Sequence, residues 1–251
     1  MNKLFSLSVL GGLGLLLLVP SRAIAADHLN LEEGLPTEVE DAYPLPYKGR
    51  EIQNVLQYER NGDEDQILIE PRFEYGIAPN TQVRVSVPFS FGEGVNDIQD
   101  VGVEVFYNFN AESLTLPAFA MSVSADFPTG PGSSGVDPTV KLLATKTIGN
   151  THMERLHLNV GYTHNFDADV VERDDRFSAV LGYSRRLNSD TMLVSDVVYE
   201  QENEKNEDSV LVELGIRHQI NPQTVFSVGA GAGLTPDSPD FRLTVGIQKE
   251  I

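Results

Sequence analysis

From residue 50 to its end the chain alternates apolar and polar residues with a period of two, and this limits the fold more than any other feature. In 67–77, Ile67, Ile69, Phe73, Tyr75 and Ile77 share one face, and Leu68, Glu70, Arg72, Glu74 and Gly76 share the other. That is a strand with one apolar and one polar side. At 83–91, Val83, Val85, Val87, Phe89 and Phe91 oppose Arg84, Ser86, Pro88 and Ser90. The pattern returns at 101–109, 210–220 and 241–248. Seven segments carry it in part, near 50–60, 114–127, 139–148, 155–166, 176–187, 191–200 and 224–234. The spacing predicts twelve strands, and no helical stretch competes.

The connections alternate too. Short turns are expected at 78–81, 110–113, 149–153, 188–190 and 221–223. Between them fall 61–65, 92–99, 128–138, 167–175, 201–208 and 235–239, mostly longer, acidic and rich in Gly or Pro. Short turns at one end and longer loops at the other fit an outer-membrane barrel. The predicted fold is all-β, a transmembrane antiparallel β-barrel of about 12 strands over residues 50–251. A soluble exported β-barrel binding protein would turn its polar face outward instead. Three features favour lipid outside. The polar face holds Gly102, Gly161, Gly182, Gly215 and Gly246. The apolar face lacks charge at strand centres. Its aromatics, such as Tyr58, Tyr75, Phe89, Phe91, Phe109, Phe127, Phe177 and Phe241, fall near strand ends as interfacial girdles do.

The first 25 residues form a different unit. Lys3 precedes the apolar run LFSLSVLGGLGLLLLV, and Pro20 and Ala23-Ile24-Ala25 follow it. This predicts a cleaved secretory signal peptide over 1–25, with the mature chain starting near Ala26. Residues 26–49 show no period and carry Pro36, Pro44 and Pro46 among Glu32, Glu33, Glu38, Glu40 and Asp41. They are expected to form an irregular acidic lead-in segment, either a periplasmic tail or a filling for the lumen.

Charge and composition narrow the function. The chain has 37 Asp+Glu against 18 Lys+Arg, a formal net charge of −19, and no Cys. A nucleic-acid partner wants a basic face and is not expected. Without Cys there is no thiolate metal site, disulfide or catalytic thiol. His28, His152, His157, His164 and His218 show no close ligand spacing, so no metal is expected. No GxSxG occurs, and Gly229–Gly233 lacks the setting of a phosphate loop. No cofactor and no enzymatic activity are expected. The expected partners are outer-membrane lipid and a small-molecule solute.

The stretches ILIEPRFEYGIAPNTQVRVSVPFSFG at 67–92 and DVGVEVFYNFNAESLTLPAFAMSVSADFPTG at 100–130 carry a resemblance. So does the hairpin VELGIRHQINPQTVFSVGAGAG at 212–233. Their strand-and-turn texture resembles the outer-membrane transporters of Gram-negative bacteria grouped with the MetA-pathway-of-phenol-degradation family. The resemblance covers most of the mature chain. It implies a barrel in the outer membrane and a transport role for small molecules, hydrophobic or aromatic compounds among them. It supplies no catalytic residue. Many such barrels end on an aromatic residue, whereas this chain ends on Ile251.

Strand parity places Glu70, Arg72, Glu74, Arg84, Glu104, Lys141, His157, Arg186, Asp196, Glu213, Arg217 and Arg242 on the inner face. These are the lumen-lining candidates, forming either a charged pore or a network of ion pairs that braces a closed barrel. A hairpin turn at 78–81 would bring Arg84 beside Glu74. Gly215, Gly229, Gly231, Gly233 and Gly246 would leave space along one wall, and water with a partial plug is expected there. The sequence leaves three functions: a channel for passive passage of small molecules, a closed structural or surface-interaction barrel, and the soluble binding protein.

Overall fold

The computed structural model describes residues 26–92, 95–131, 135–149, 151 and 153–251, without the side chains of 95 and 96. The leader at 1–25 and His152 lie outside the described residues. The strands are β1 (Arg50–Asn61), β2 (Glu64–Ala78), β3 (Thr81–Ser86), β4 (Phe89–Gly92), β5 (Val95–Ile98), β6 (Val101–Asn108) and β7 (Ala118–Phe127). They continue as β8 (Asp137–Ile148), β9 (Glu154–His164), β10 (Asp175–Arg186), β11 (Thr191–Gln201), β12 (Asp208–Asn221), β13 (Thr224–Gly233) and β14 (Phe241–Glu250).

β3 and β4 both pair with β2, on either side of Val87 and Pro88. Pro88 has no N–H, so the ladder breaks there while the strand runs on. β5 and β6 are likewise two parts of one wall strand, interrupted at Gln99 and Asp100. The barrel wall is therefore twelve strands, each antiparallel to its neighbours. β1 pairs with β2 on one side and with β14 on the other, from Glu51 opposite Glu250 to Arg60 opposite Phe241. That closes the sheet, the condition for crossing a membrane with strands; among the described residues only the short β5 at the loop end is paired on one side alone.

Burial is inverted relative to a water-soluble domain. The outward Leu158, Leu181 and Leu214 are 46%, 59% and 56% exposed, whereas the inward His157 and Glu213 are 1% and 2% exposed. Such an apolar belt needs a lipid solvent. Tyr58, Phe91, Phe127, Tyr162, Phe177, Tyr199 and Phe241 sit near one set of strand ends, and Tyr75, Tyr107, Phe119 and Phe226 near the other. They bracket the belt at both interfaces.

The start of β1 and the end of β14 share one rim, the terminal rim, where the Ile251 N–H donates to the Arg50 carbonyl at 3.0 Å. Three connections differ from the expected lengths, and in one of them, expected at 92–99, Val95–Ile98 form β5 paired with β4. At the far end 61–65 is a tight hairpin, because Gly62 takes a φ of 61° and lets β1 run straight into β2. At the terminal end, 109–117 forms a longer connection, and β7 starts at Ala118 rather than 114. There the Asn110 side chain donates to the Pro117 carbonyl and accepts from the Phe119 N–H, so it holds the loop together. Leu114 and Leu116 imitate strand alternation but lie exposed in that loop.

Residues 26–45 run inside the barrel, and Tyr47 beyond them is exposed. Leu31, Leu35, Val39, Ala42 and Leu45 are buried, as are Glu32, Glu40 and Asp41. Leu31 and Val39 pack with Val180, Met192, Val194, Val198 and Leu211, while Ala42 packs with Phe106, Ala118, Ala120 and Leu143. The expectation of water along the glycine wall is corrected. Leu35 and Pro36 occupy that space, and a Cβ added at Gly246 or Gly215 would collide with them.

An Arg in place of the mid-strand Leu158 should weaken folding into lipid bilayers by about 2–4 kcal/mol. Urea titration of the barrel in vesicles measures this. An unchanged midpoint would place Leu158 outside the hydrocarbon.

Candidate functional site

The lumen segment has two limbs. The first enters at the terminal rim, where the Ala26 N–H donates to the Pro222 carbonyl at 2.8 Å and Gln219 Nε2 donates to the Ala26 carbonyl at 2.8 Å. It turns at Glu32–Leu35, with Gly34 at a φ of 72° and its N–H on the Thr37 carbonyl at 2.9 Å. The second limb runs back from Val39 to Pro46. It is tied to the first by the Asp41 N–H on the Leu31 carbonyl at 3.1 Å.

The returning limb crosses the inner wall strand by strand. The Val39 N–H donates to Asp196 Oδ2 on β11 at 2.8 Å. On β9, Asn159 Oδ1 accepts from the Glu40 N–H at 2.9 Å and Asn159 Nδ2 donates to the Glu40 carbonyl at 2.8 Å. The Ala42 N–H donates to Thr145 Oγ1 on β8 at 3.0 Å, and Asn108 Nδ2 on β6 donates to the Ala42 carbonyl at 2.6 Å. The Leu45 N–H donates to Gln82 Oε1 on β3 at 2.6 Å. This row satisfies backbone groups that no ladder serves.

Charge is concentrated where wall and segment meet. Arg84 lies opposite Glu74, with Nε 2.5 Å from Glu74 Oε1. It also reaches Glu104 and Glu40, each at 3.0 Å, and Glu32. Lys141 binds Glu33 at 2.6 Å and Glu40 at 2.7 Å. Two cations thus face five carboxylates. Burial first, and then the Glu74 charge, push the Glu32 carboxyl well above its ordinary range. A second cluster joins Arg242 to Glu59 at 2.6 Å, Glu38 at 2.8 Å and Glu213 at 3.6 Å.

The remaining inner-face candidates have separate settings. Arg72 pairs with Glu70 at 2.6 Å and donates to the Glu33 carbonyl at 2.5 Å. Arg217 is fully enclosed, and its donors go to the His28 carbonyl, the Leu35 carbonyl and Gln248 Oε1. His157 sits between Thr145 Oγ1 at 3.1 Å and Ser184 Oγ at 2.9 Å. Arg186 stands apart at the terminal rim, where it braces the 187–190 turn through the Asn188 and Ser189 carbonyls.

Beyond the segment, towards the loop end, lies a cavity of about 410 Å³ lined by Glu70, Arg72, Lys141, Arg176 and Glu200, among others. A neighbouring cavity of about 480 Å³ shares Glu200 and is strongly acidic, with Glu59, Glu64, Glu202, Glu207 and Asp237.

Sequence reasoning passed over Asn108, Asn159, Thr145 and Gln82, whose inward parity was readable but whose neutral side chains did not stand out. It also left Glu32 and Glu40 unassigned, because a segment without a period gives no face.

Comparison with known proteins places the fold. No family model matches the chain, and no curated protein matches it. Among solved structures, it is similar to an outer membrane channel from Pseudomonas putida F1, at a TM-score of 0.69 and 13% identity. That match covers 88% of this chain and all (100%) of the channel. The NanC porin matches at a TM-score of 0.59 and 10% identity, covering 80% of this chain and 100% of the porin. A KdgM porin matches at 0.59 and 11%, covering 80% and 99%. At such identities the likeness is one of fold.

Replacing Arg84 with Met leaves Glu32, Glu40, Glu74 and Glu104 without their shared cation. Removing one partner of a buried pair typically costs about 3–5 kcal/mol. The docked segment should loosen, and proteolysis within 26–49 of the folded barrel should accelerate. Unchanged protection would mean that Arg84 does not hold it.

Burial raises Asp41 from 3.8 to about 7, with Arg155 opposing. A released Asp41 titrates near 3.8, so the docked state holds the extra proton between those values. Docking therefore weakens as pH rises from about 4 to 7. Asp41→Asn should make this dependence shallower and protect 26–49 better at pH 7. An unchanged profile in the variant would remove Asp41 from the account.

Proposed function

We propose that the protein is an outer-membrane channel for passive passage of small molecules, held shut by its own residues 26–49. One observation carries this: a segment outside the wall ladder occupies the lumen, and a polar cavity lies beyond it. The closure of β1 on β14 does not involve this segment. Wall side chains alone fill barrels of about eight strands, and twelve enclose more. The fold shared with an outer membrane channel and two porins supports the same assignment.

The cavity walls favour small hydrophilic solutes over the hydrophobic or aromatic compounds implied by the family resemblance. Glu70, Arg72, Lys141, Arg176 and Glu200 line the cavity next to the segment with both signs of charge. The acidic neighbour would concentrate cations at the entrance and repel anions. A closed structural barrel is the second reading, favoured by how completely Leu31, Leu35, Val39 and Ala42 are buried. The outward apolar belt weighs against a soluble binding protein.

Flux into proteoliposomes separates the two membrane readings. Full-length protein should pass small solutes slowly, and a chain lacking residues 27–46 should pass them faster, with cations ahead of anions. Heat-modifiable migration confirms that each barrel has folded. Two folded barrels that pass neither ions nor small solutes would leave the closed structural barrel standing.

A further inference from the structure

The row of side chains under the returning limb has a property beyond closing the lumen. It contacts that limb mainly through peptide groups. Asp196, Asn159, Thr145 and Gln82 accept main-chain N–H groups of Val39, Glu40, Ala42 and Leu45. Asn159 and Asn108 donate to the carbonyls of Glu40 and Ala42. The wall beneath is kept low by small residues. Val39 lies against Gly182, Ala42 packs with Ala118 and Ala120, and the Pro46 carbonyl lies against Gly76. Polar side chains on β11, β9, β8, β6 and β3 thus form one path across the strands, along which a single stretch of main chain lies.

We infer that this row is a binding track for an extended peptide main chain, and that residues 39–45 occupy it as an exchangeable intramolecular ligand. Hydrogen bonds to the peptide backbone supply affinity whatever the side chains, as when a strand adds to a sheet edge. Tethering gives the resident limb a high effective concentration, so an external peptide needs excess to displace it. Arg84 and Lys141 add a preference for a carboxylate at the place of Glu40. The inference rests on the proposed closure of the lumen by 26–49, but it requires no solute to pass.

The experiment uses the full-length chain in detergent micelles. The protein has no Cys, so Thr37→Cys gives a single thiol at a site only 1% exposed, next to the returning limb. A synthetic peptide with the sequence of residues 38–46 is added in excess, and maleimide labelling is timed. The labelling rate should rise with peptide and saturate. The same peptide N-methylated at the positions of Glu40 and Ala42 loses two main-chain donors and should bind about tenfold to thirtyfold more weakly. A fluorescein-labelled peptide binding to the unsubstituted chain, followed by anisotropy, gives the same answer if the Cys variant folds poorly. No binding at millimolar peptide, or equal potency of the N-methylated peptide, overturns the inference. Flux is not measured, so a barrel that conducts nothing can still bind the peptide, and a conducting barrel can still refuse it.

Discussion

A guanidinium taken out of water is stable only where its donors meet charge or lone pairs from its surroundings. Arg84 is met from two directions. Glu74 and Glu104 reach it from the barrel wall, and Glu32 and Glu40 from the segment inside. Without the segment, that side of Arg84 would need water. Without Arg84, four carboxylates would crowd one place. The wall and its filling are thus electrostatically incomplete apart, and Lys141 repeats the arrangement by sharing Glu40.

The same dependence appears in shape. Glycines at 215, 229 and 246 leave a recess that Leu35 and Pro36 fill, and Gly182 leaves one for Val39. The interior therefore mixes apolar contacts with charge-assisted bonds and main-chain contacts. Such a mixture suits the proposed closed state of a channel. The apolar contacts give affinity, while the buried carboxylates make that affinity depend on pH and on each ion pair. Nothing in the β1–β14 closure depends on the segment, so the wall can persist while the filling moves.

Much of this was legible in the residues. A period of two fixes which side chains share a face, and that alone put Glu74, Arg84, Glu104 and Lys141 on the inner face. The turn at 78–81 put Arg84 beside Glu74 on one face, and the structure shows the two directly opposite. The place of residues 26–49 was not legible, because an aperiodic segment takes its conformation from whatever surface receives it. The receiving surface was half legible. Asn108 and Asn159 had readable parity, but their roles depend on peptide groups far away in sequence. Leu114 and Leu116 misled for the converse reason, since alternation without a pairing partner does not make a strand.

The central claim is that residues 26–45 sit inside the barrel and shut it. Cysteines at Ala42 and Ala118 test it most directly, because both are small and buried in one cluster and the chain has no other thiol. Joining the two thiols of A42C/A118C barrels with a short bis-methanethiosulfonate should abolish openings in planar bilayers, and reduction should restore them. A pair that fails to cross-link in folded barrels, or a cross-linked barrel that conducts as freely as the reduced one, would contradict the account.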